Sequence, residues 1–160
     1  MLTVHIWRFQ GSAVAWGHAS MSLDRTYISW WPEETNRVHN KLVDQIYTAG
    51  LIRNQTFERD VAGEKGRQPD SNVRIHGLDE TAIKNWWFRF ALLRDGEVYQ
   101  GPLMDSWQTL TKNCSTIVAR ALTIGGGEKY AGMKSKSLVW KPSDVLAYAQ
   151  AVEVGLLRAR

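Results

Sequence analysis

The sequence predicts one α+β domain, an antiparallel sheet packed against helices, with the single cysteine at the start of one helix. Three observations lead there. Strand-like runs dominate the first third of the chain, and 3.6-residue periodicity dominates the last third. No repeat or low-complexity linker divides the 160 residues, so 1–160 reads as one domain of ordinary size. The composition, 44% hydrophobic and 22% charged, is that of a globular protein able to fold without a disulfide or metal.

The elements follow in order. Leu2 to Trp7 and Ala15 to Leu23 read as strands separated by a Gly-Ser turn, and Thr26 to Trp31 as a third strand stopped by Pro32. Asn36 to Tyr47 predicts a helix, because Val38, Leu42, Val43 and Ile46 recur at helical spacing. Arg53 to Asn72 is polar and rich in Gly, Asp, Arg and Glu, which predicts a long surface loop. Val73 to His76 predicts a short strand. Asp79 to Leu93 predicts a helix capped by Asp79, with Ile83, Trp86, Trp87 and Phe90 on one side. Val98 to Gln100 is extended. Cys114 to Ile124 predicts a helix ending at Gly125-Gly126-Gly127, and Leu138 to Trp140 a return to the sheet. Ser143 to Leu156 closes the chain as a helix entered through Pro142.

Eight tryptophans are many for this length, and two pairs are adjacent, Trp30-Trp31 and Trp86-Trp87. Such side chains fill cores and line clefts that grip extended substrates or acyl chains. The net charge of +4 favours anionic surfaces such as a membrane or cell wall, but the basic residues form no long run, so no nucleic-acid partner is expected. The N-terminus lacks the basic and apolar regions of a secretory signal, and no apolar run approaches the ~18 residues of a membrane span. The expectation is a chain made in the cytoplasm without a signal peptide.

Asn113 is a strong N-cap residue, placing Cys114 in the first turn of its helix. There the unpaired N–H groups and the helix dipole lower a thiol's pKa and can donate to an oxyanion. The same helix has a bland reading. Positions 114, 117, 118, 121 and 122 form an apolar stripe, which suits a buried core cysteine equally well. Gln108 lies six residues before Cys114, a spacing similar to that of the oxyanion-hole glutamine in papain-like enzymes, and Asn113, Ser115 and Trp16 are further candidates to bind the oxyanion or the substrate.

His18 lies on a strand whose alternation puts Trp16, His18, Ser20 and Ser22 on one face. It is the candidate base, with a structural histidine as the alternative. His5 on a strand, His39 on a helix and His76 beside a turn pair with Cys114 by no motif. Asp60 and Asp70 in the polar segment are candidates to orient the imidazole, and Ser29 is a further one. No phosphate-binding loop, nucleophile elbow or zinc-ligand spacing is present, so no cofactor or metal is expected.

Trp16-Gly17-His18-Ala19-Ser20-Met21-Ser22-Leu23, then Tyr27-Ile28-Ser29-Trp30-Trp31-Pro32, Gly77-Leu78-Asp79-Glu80, Asn113-Cys114-Ser115 and Trp140-Lys141-Pro142-Ser143-Asp144-Val145-Leu146 follow one another in an informative order. In that order and spacing the chain resembles circularly permuted papain-like cysteine domains of bacterial toxins and secreted effectors. The Rho-inactivation and Mcf-type toxin domains are the named examples, and permuted NlpC-type peptidases are more distant. The resemblance implies a permuted papain-like (NlpC-like) fold with the histidine first on a strand and the cysteine later at a helix start. His18 and Cys114 match those places, with Asp60 or Asp70 as the intervening acid. It also implies a bacterial toxin or effector. The toxin domains are larger and sit inside giant chains, and a chain as short as this suits export by a machine such as type VI secretion to the periplasm of a target cell or to a host cell, with a cognate immunity protein as a candidate partner.

Three functions fit. A cysteine hydrolase would cleave an amide in a peptide or cell-wall substrate through an acyl-cysteine. A lysine N-fatty acyltransferase would use an acyl donor and the same intermediate. A non-catalytic, tryptophan-rich binding module would need neither, and its Cys114 would be inert.

Overall fold

The computed structural model describes residues 1–11, 17–31, 46–48, 55–89, 92–94, 97–99, 106–108 and 113–159, with the backbone alone for the four short stretches between 46 and 108. In chain order the elements are β1 (Leu2–Trp7), β2 (His18–Leu23), β3 (Thr26–Ile28), β4 (Ile46–Thr48), α1 (Phe57–Gly63), β5 (Ser71–Ile75) and α2 (Glu80–Phe88). Then come β6 (Leu92–Arg94), β7 (Glu97–Tyr99), β8 (Ser106–Gln108), α3 (Cys114–Ile124), α4 (Glu128–Ala131), a 3-10 turn over Gly132–Ser135 and α5 (Pro142–Arg158).

Four strands form an antiparallel sheet in the order β3-β2-β1-β5. Its register decides what each face does. Leu2 pairs with Leu23, Val4 with Met21 and Ile6 with Ala19, and these side chains enter one fully buried apolar core. Ile117, Val118, Ala121 and Leu122 of α3 and Val145, Ala149 and Val152 of α5 fill the same core. Their 3.6-residue spacing gives each helix an apolar stripe, and burial of that stripe is what holds the helices on the sheet. The alternate residues, His5 opposite Ser20 and Trp7 opposite His18, point to the second face. That face is covered by α1 through Phe57, whose ring lies 5.0 Å from His5 and 6.0 Å from Trp7.

The α+β class stands, and several elements differ from expectation. The segment expected as a long loop over 53–72 contains α1 and the start of β5. Thr56 caps α1 by accepting the Arg59 N–H, and its polar composition reflects a helix that buries a carboxylate instead of an apolar stripe. The helix expected over Asn36 to Tyr47 falls mostly outside the described residues, and its last two positions lie in β4, paired with β8. The α2 helix stops at Phe88, and Leu92 already belongs to the β6–β7 hairpin. Leu138 to Trp140 is not a strand. Leu138 is 96% exposed, because this stretch turns outward before Pro142 opens α5. Among the described residues no helix is long and apolar enough to cross a membrane.

Candidate active site

The site forms where β3 runs out. That strand pairs with β2 only from Met21 to Leu23, so the β2 edge over His18 to Ser20 has no partner from it. The N-terminus of α3 comes against this edge. The Ala19 N–H donates to the Cys114 sulfur, and the Cys114 and His18 side chains hydrogen-bond to each other. A helix on the apolar face of the sheet thereby meets a histidine on the opposite face.

His18 is 1% exposed, and its Nε2–H is shared between Asp60 Oδ2 at 2.9 Å and Ser29 Oγ at 3.0 Å. With Nε2 so occupied, Nδ1 is the nitrogen left for the sulfur. Trp31 stacks on the imidazole with ring centroids 4.4 Å apart, and Trp7 flanks it at 5.5 Å. The ring is fixed in orientation, with Nε2 toward Asp60 and Nδ1 toward the sulfur.

Asp60, on α1, is fully buried and accepts five hydrogen bonds. His18 and the Tyr27 hydroxyl, at 2.6 Å, donate to Oδ2. Ser29 Oγ at 2.9 Å, Trp31 Nε1 at 2.7 Å and Gln55 Nε2 at 2.5 Å donate to Oδ1. Ser20 in turn donates to the Tyr27 oxygen at 2.7 Å. A buried carboxylate is costly unless its lone pairs are filled, and here they are.

Burial pushes the Asp60 carboxyl up, but the His18 charge and the donors around it hold it well below the usual carboxylate range. Burial pushes His18 down, yet the Cys114 and Asp60 charges and their hydrogen bonds raise it to about 10. Burial pushes the Cys114 thiol up, and the His18 charge, the His18 hydrogen bond, the Ala19 N–H and Ser115 outweigh that, leaving it below its ordinary value. All three shifts run toward a thiolate beside an imidazolium, backed by a carboxylate.

Asn113 caps α3 in a capping box. Its side chain accepts the Thr116 N–H at 3.1 Å, and its amide donates to the Trp140 carbonyl at 3.1 Å. That amide ties the helix start to the segment before α5. Ser115 is buried against the thiol. Asp70 is not at the histidine: it accepts the Arg8 N–H at 2.6 Å and pairs with Arg67 at 3.0 Å.

His5 donates through Nδ1 to Asn72 at 2.6 Å and accepts from Ser22 at 2.6 Å, a structural arrangement. His76 follows the end of β5. Trp16 and His39 lie outside the described residues, and Gln108 is placed only as the end of β8. Tyr27, Trp31 and Gln55 were not anticipated. A period-two reading of Tyr27, Ser29 and Trp31 would have put the first and last on the His18 side. Among the described residues no group of His, Cys, Asp and Glu could hold a metal.

The chain is similar to two proteins named multifunctional-autoprocessing repeats-in-toxin. It is 29% identical to that of Vibrio cholerae serotype O1 over 124 residues, 76% of this chain and 2% of the relative. It is 32% identical to that of Vibrio vulnificus over 83 residues, 51% of this chain and 1% of the relative. The chain thus spans a very small part of the length of these curated relatives. No solved structure matches. The family described as the IcsB middle domain matches residues 43–159, a stretch that includes both Asp60 and Cys114. With that match covering most of its length, the chain belongs to the IcsB middle domain family.

Proposed function

We propose that this chain is a bacterial toxin or effector domain that transfers an acyl group through a thioester on Cys114. The observation that carries the reading is one buried imidazole shared between a helix N-terminal thiol and a carboxylate with five donors. The similarity to toxin segments supports the effector role. The chain order His18, Asp60, Cys114, and a cysteine helix against an antiparallel sheet, support a permuted papain-like (NlpC-like) fold.

In the first half-reaction the Cys114 thiolate attacks the carbonyl of an acyl donor. The oxyanion is met by first-turn N–H groups of α3, and His18 gives its proton to the leaving group as the thioester forms. In the second half, His18 takes a proton from the incoming nucleophile, which displaces the thiolate and carries off the acyl group.

A lysine amine and water both fit as that nucleophile. An amine attacks a thioester far more readily than water does, so the lysine N-fatty acyltransferase reading is placed ahead of hydrolysis of a peptide or cell-wall amide. Intact-protein mass spectrometry after incubation with long-chain acyl-coenzyme A tests it. The expected result is an acyl adduct removed by hydroxylamine and absent from Cys114→Ala. An unmodified wild-type protein across acyl chain lengths would contradict transfer, and release of free acid without an amide product would return the reading to hydrolysis.

A further inference from the structure

We propose that the segment 128–141, together with the outward face of α3, docks on an anionic lipid bilayer. Four lysines and one glutamate lie in these fourteen residues, so they carry three of the chain's four net positive charges. Lys129, Lys134, Lys136 and Lys141 are all exposed. Between them project Met133, 83% exposed, and Leu138, 96% exposed, the two most exposed large apolar side chains among the described residues. Apolar tips ringed by lysines are what a surface needs to enter the headgroup layer of an acidic membrane.

The segment is built to hold this shape. The Ser135 hydroxyl donates to the Gly132 carbonyl at 2.7 Å, and the Ser137 hydroxyl to the Val139 carbonyl at 2.7 Å. Lys136 pairs with Glu128 at 3.0 Å. Beneath, Gly155 of α5 lies so close to Tyr130 that a Cβ there would sit 2.7 Å from its atoms. Met133 and Leu138 are thus kept outward by a fixed turn. Between segment and α3 is a cleft of about 450 Å³ lined in part by Arg120, Lys136, Leu138 and Trp140, an apolar hollow with a basic rim.

An acidic polypeptide could meet the lysines, but it gives no reason for two large apolar tips among them. The patch is also tied to the thiol, because Asn113, the cap before Cys114, donates to the Trp140 carbonyl. Docking by this face would set the first turn of α3 at a fixed height above the bilayer.

The test is vesicle flotation with phosphatidylcholine alone and with equal parts phosphatidylcholine and phosphatidylserine. Wild type is expected to float with the acidic vesicles only, and less so as salt is raised. Lys129→Glu and Lys134→Glu should each weaken binding about tenfold or more. Met133→Asn with Leu138→Asn should weaken it while the melting curve is retained. Arg74→Glu, on the exposed side of β5, and Cys114→Ala should bind as wild type does, which keeps this result separate from the catalytic reading. Equal binding to neutral vesicles, loss in Arg74→Glu matching that in Lys134→Glu, or binding of polyglutamate in place of vesicles would overturn the proposal.

Discussion

The indole of Trp31 lies on the imidazole of His18 with planes 23° apart, and its N–H binds the same Asp60 carboxylate that holds the histidine. One residue therefore both covers the ring and satisfies its counter-charge. The two functions can be separated by substitution.

Trp31→Phe keeps a ring on His18 and removes the donor to Asp60 Oδ1. A stability loss of about 1–2 kcal/mol is expected, since a buried acceptor loses one of its partners. Trp31→Ala should cost more, about 3 kcal/mol or above, through lost packing as well. Urea unfolding of the two variants measures the difference. Equal losses would mean that the stack contributes nothing.

Asp60→Asn puts an amide where five donors converge, so at least one N–H faces another donor. The predicted destabilisation is about 3 kcal/mol, typical of breaking a buried charged pair. Acyl transfer should fall by about a hundredfold or more, because the imidazole loses its orienting partner. Asp70→Asn, which touches Arg8 and Arg67 instead, should leave the rate within about twofold, as surface changes away from a site usually do. Rate measurements on both variants check this.

The pH dependence of stability follows from three shifted groups. Asp60 is depressed, so its contribution is present above the ordinary carboxylate range and lost as pH falls through its folded value. His18 is raised from 6.5 to about 10, so its contribution is full below 6.5 and lost as pH rises toward about 10. Cys114 is depressed from 9.0, so its contribution grows with pH until the unfolded thiol also ionises. Above 6.5 the His18 contribution falls with pH while the Cys114 contribution rises, so the two slopes oppose each other. Chemical denaturation should therefore show a loss of stability in acid, as Asp60 is protonated, and a weaker dependence on pH above 6.5.

Gly17, immediately before His18, has φ +79°, and a Cβ there would sit 2.7 Å from the Trp7 carbonyl oxygen. Gly17→Ala is predicted to cost about 1–3 kcal/mol in backbone strain and to displace the start of β2. Activity should fall further than thermal stability alone explains, because the displaced residue is the proposed base. Comparing melting temperature with transfer rate tests this.

What the sequence made legible is what local pattern controls. Alternation found β1 and the end of β2, and Asn113 before an apolar stripe fixed the start of α3 at Cys114. Both readings of that stripe describe part of the molecule: Cys114 is buried with it, yet its thiol turns to His18. The α1 helix was illegible because its buried residue is an aspartate, which no hydrophobic periodicity records. Asp60 is satisfied by Tyr27, Ser29, Trp31 and Gln55, donors gathered from outside its own helix by the fold. Leu138 misled because an apolar run suggests burial, whereas here it is held in solvent.

The central claim is that Cys114 and His18 form an ion pair, and the rate of thiol alkylation against pH tests it most directly. The chain has one cysteine, so the signal has one source. In wild type the apparent thiol pKa should lie well below the free value of about 8.5, and in His18→Ala it should rise toward or above that value. A slow reaction with the same pH dependence in both proteins would contradict the account and leave Cys114 as an inert core residue.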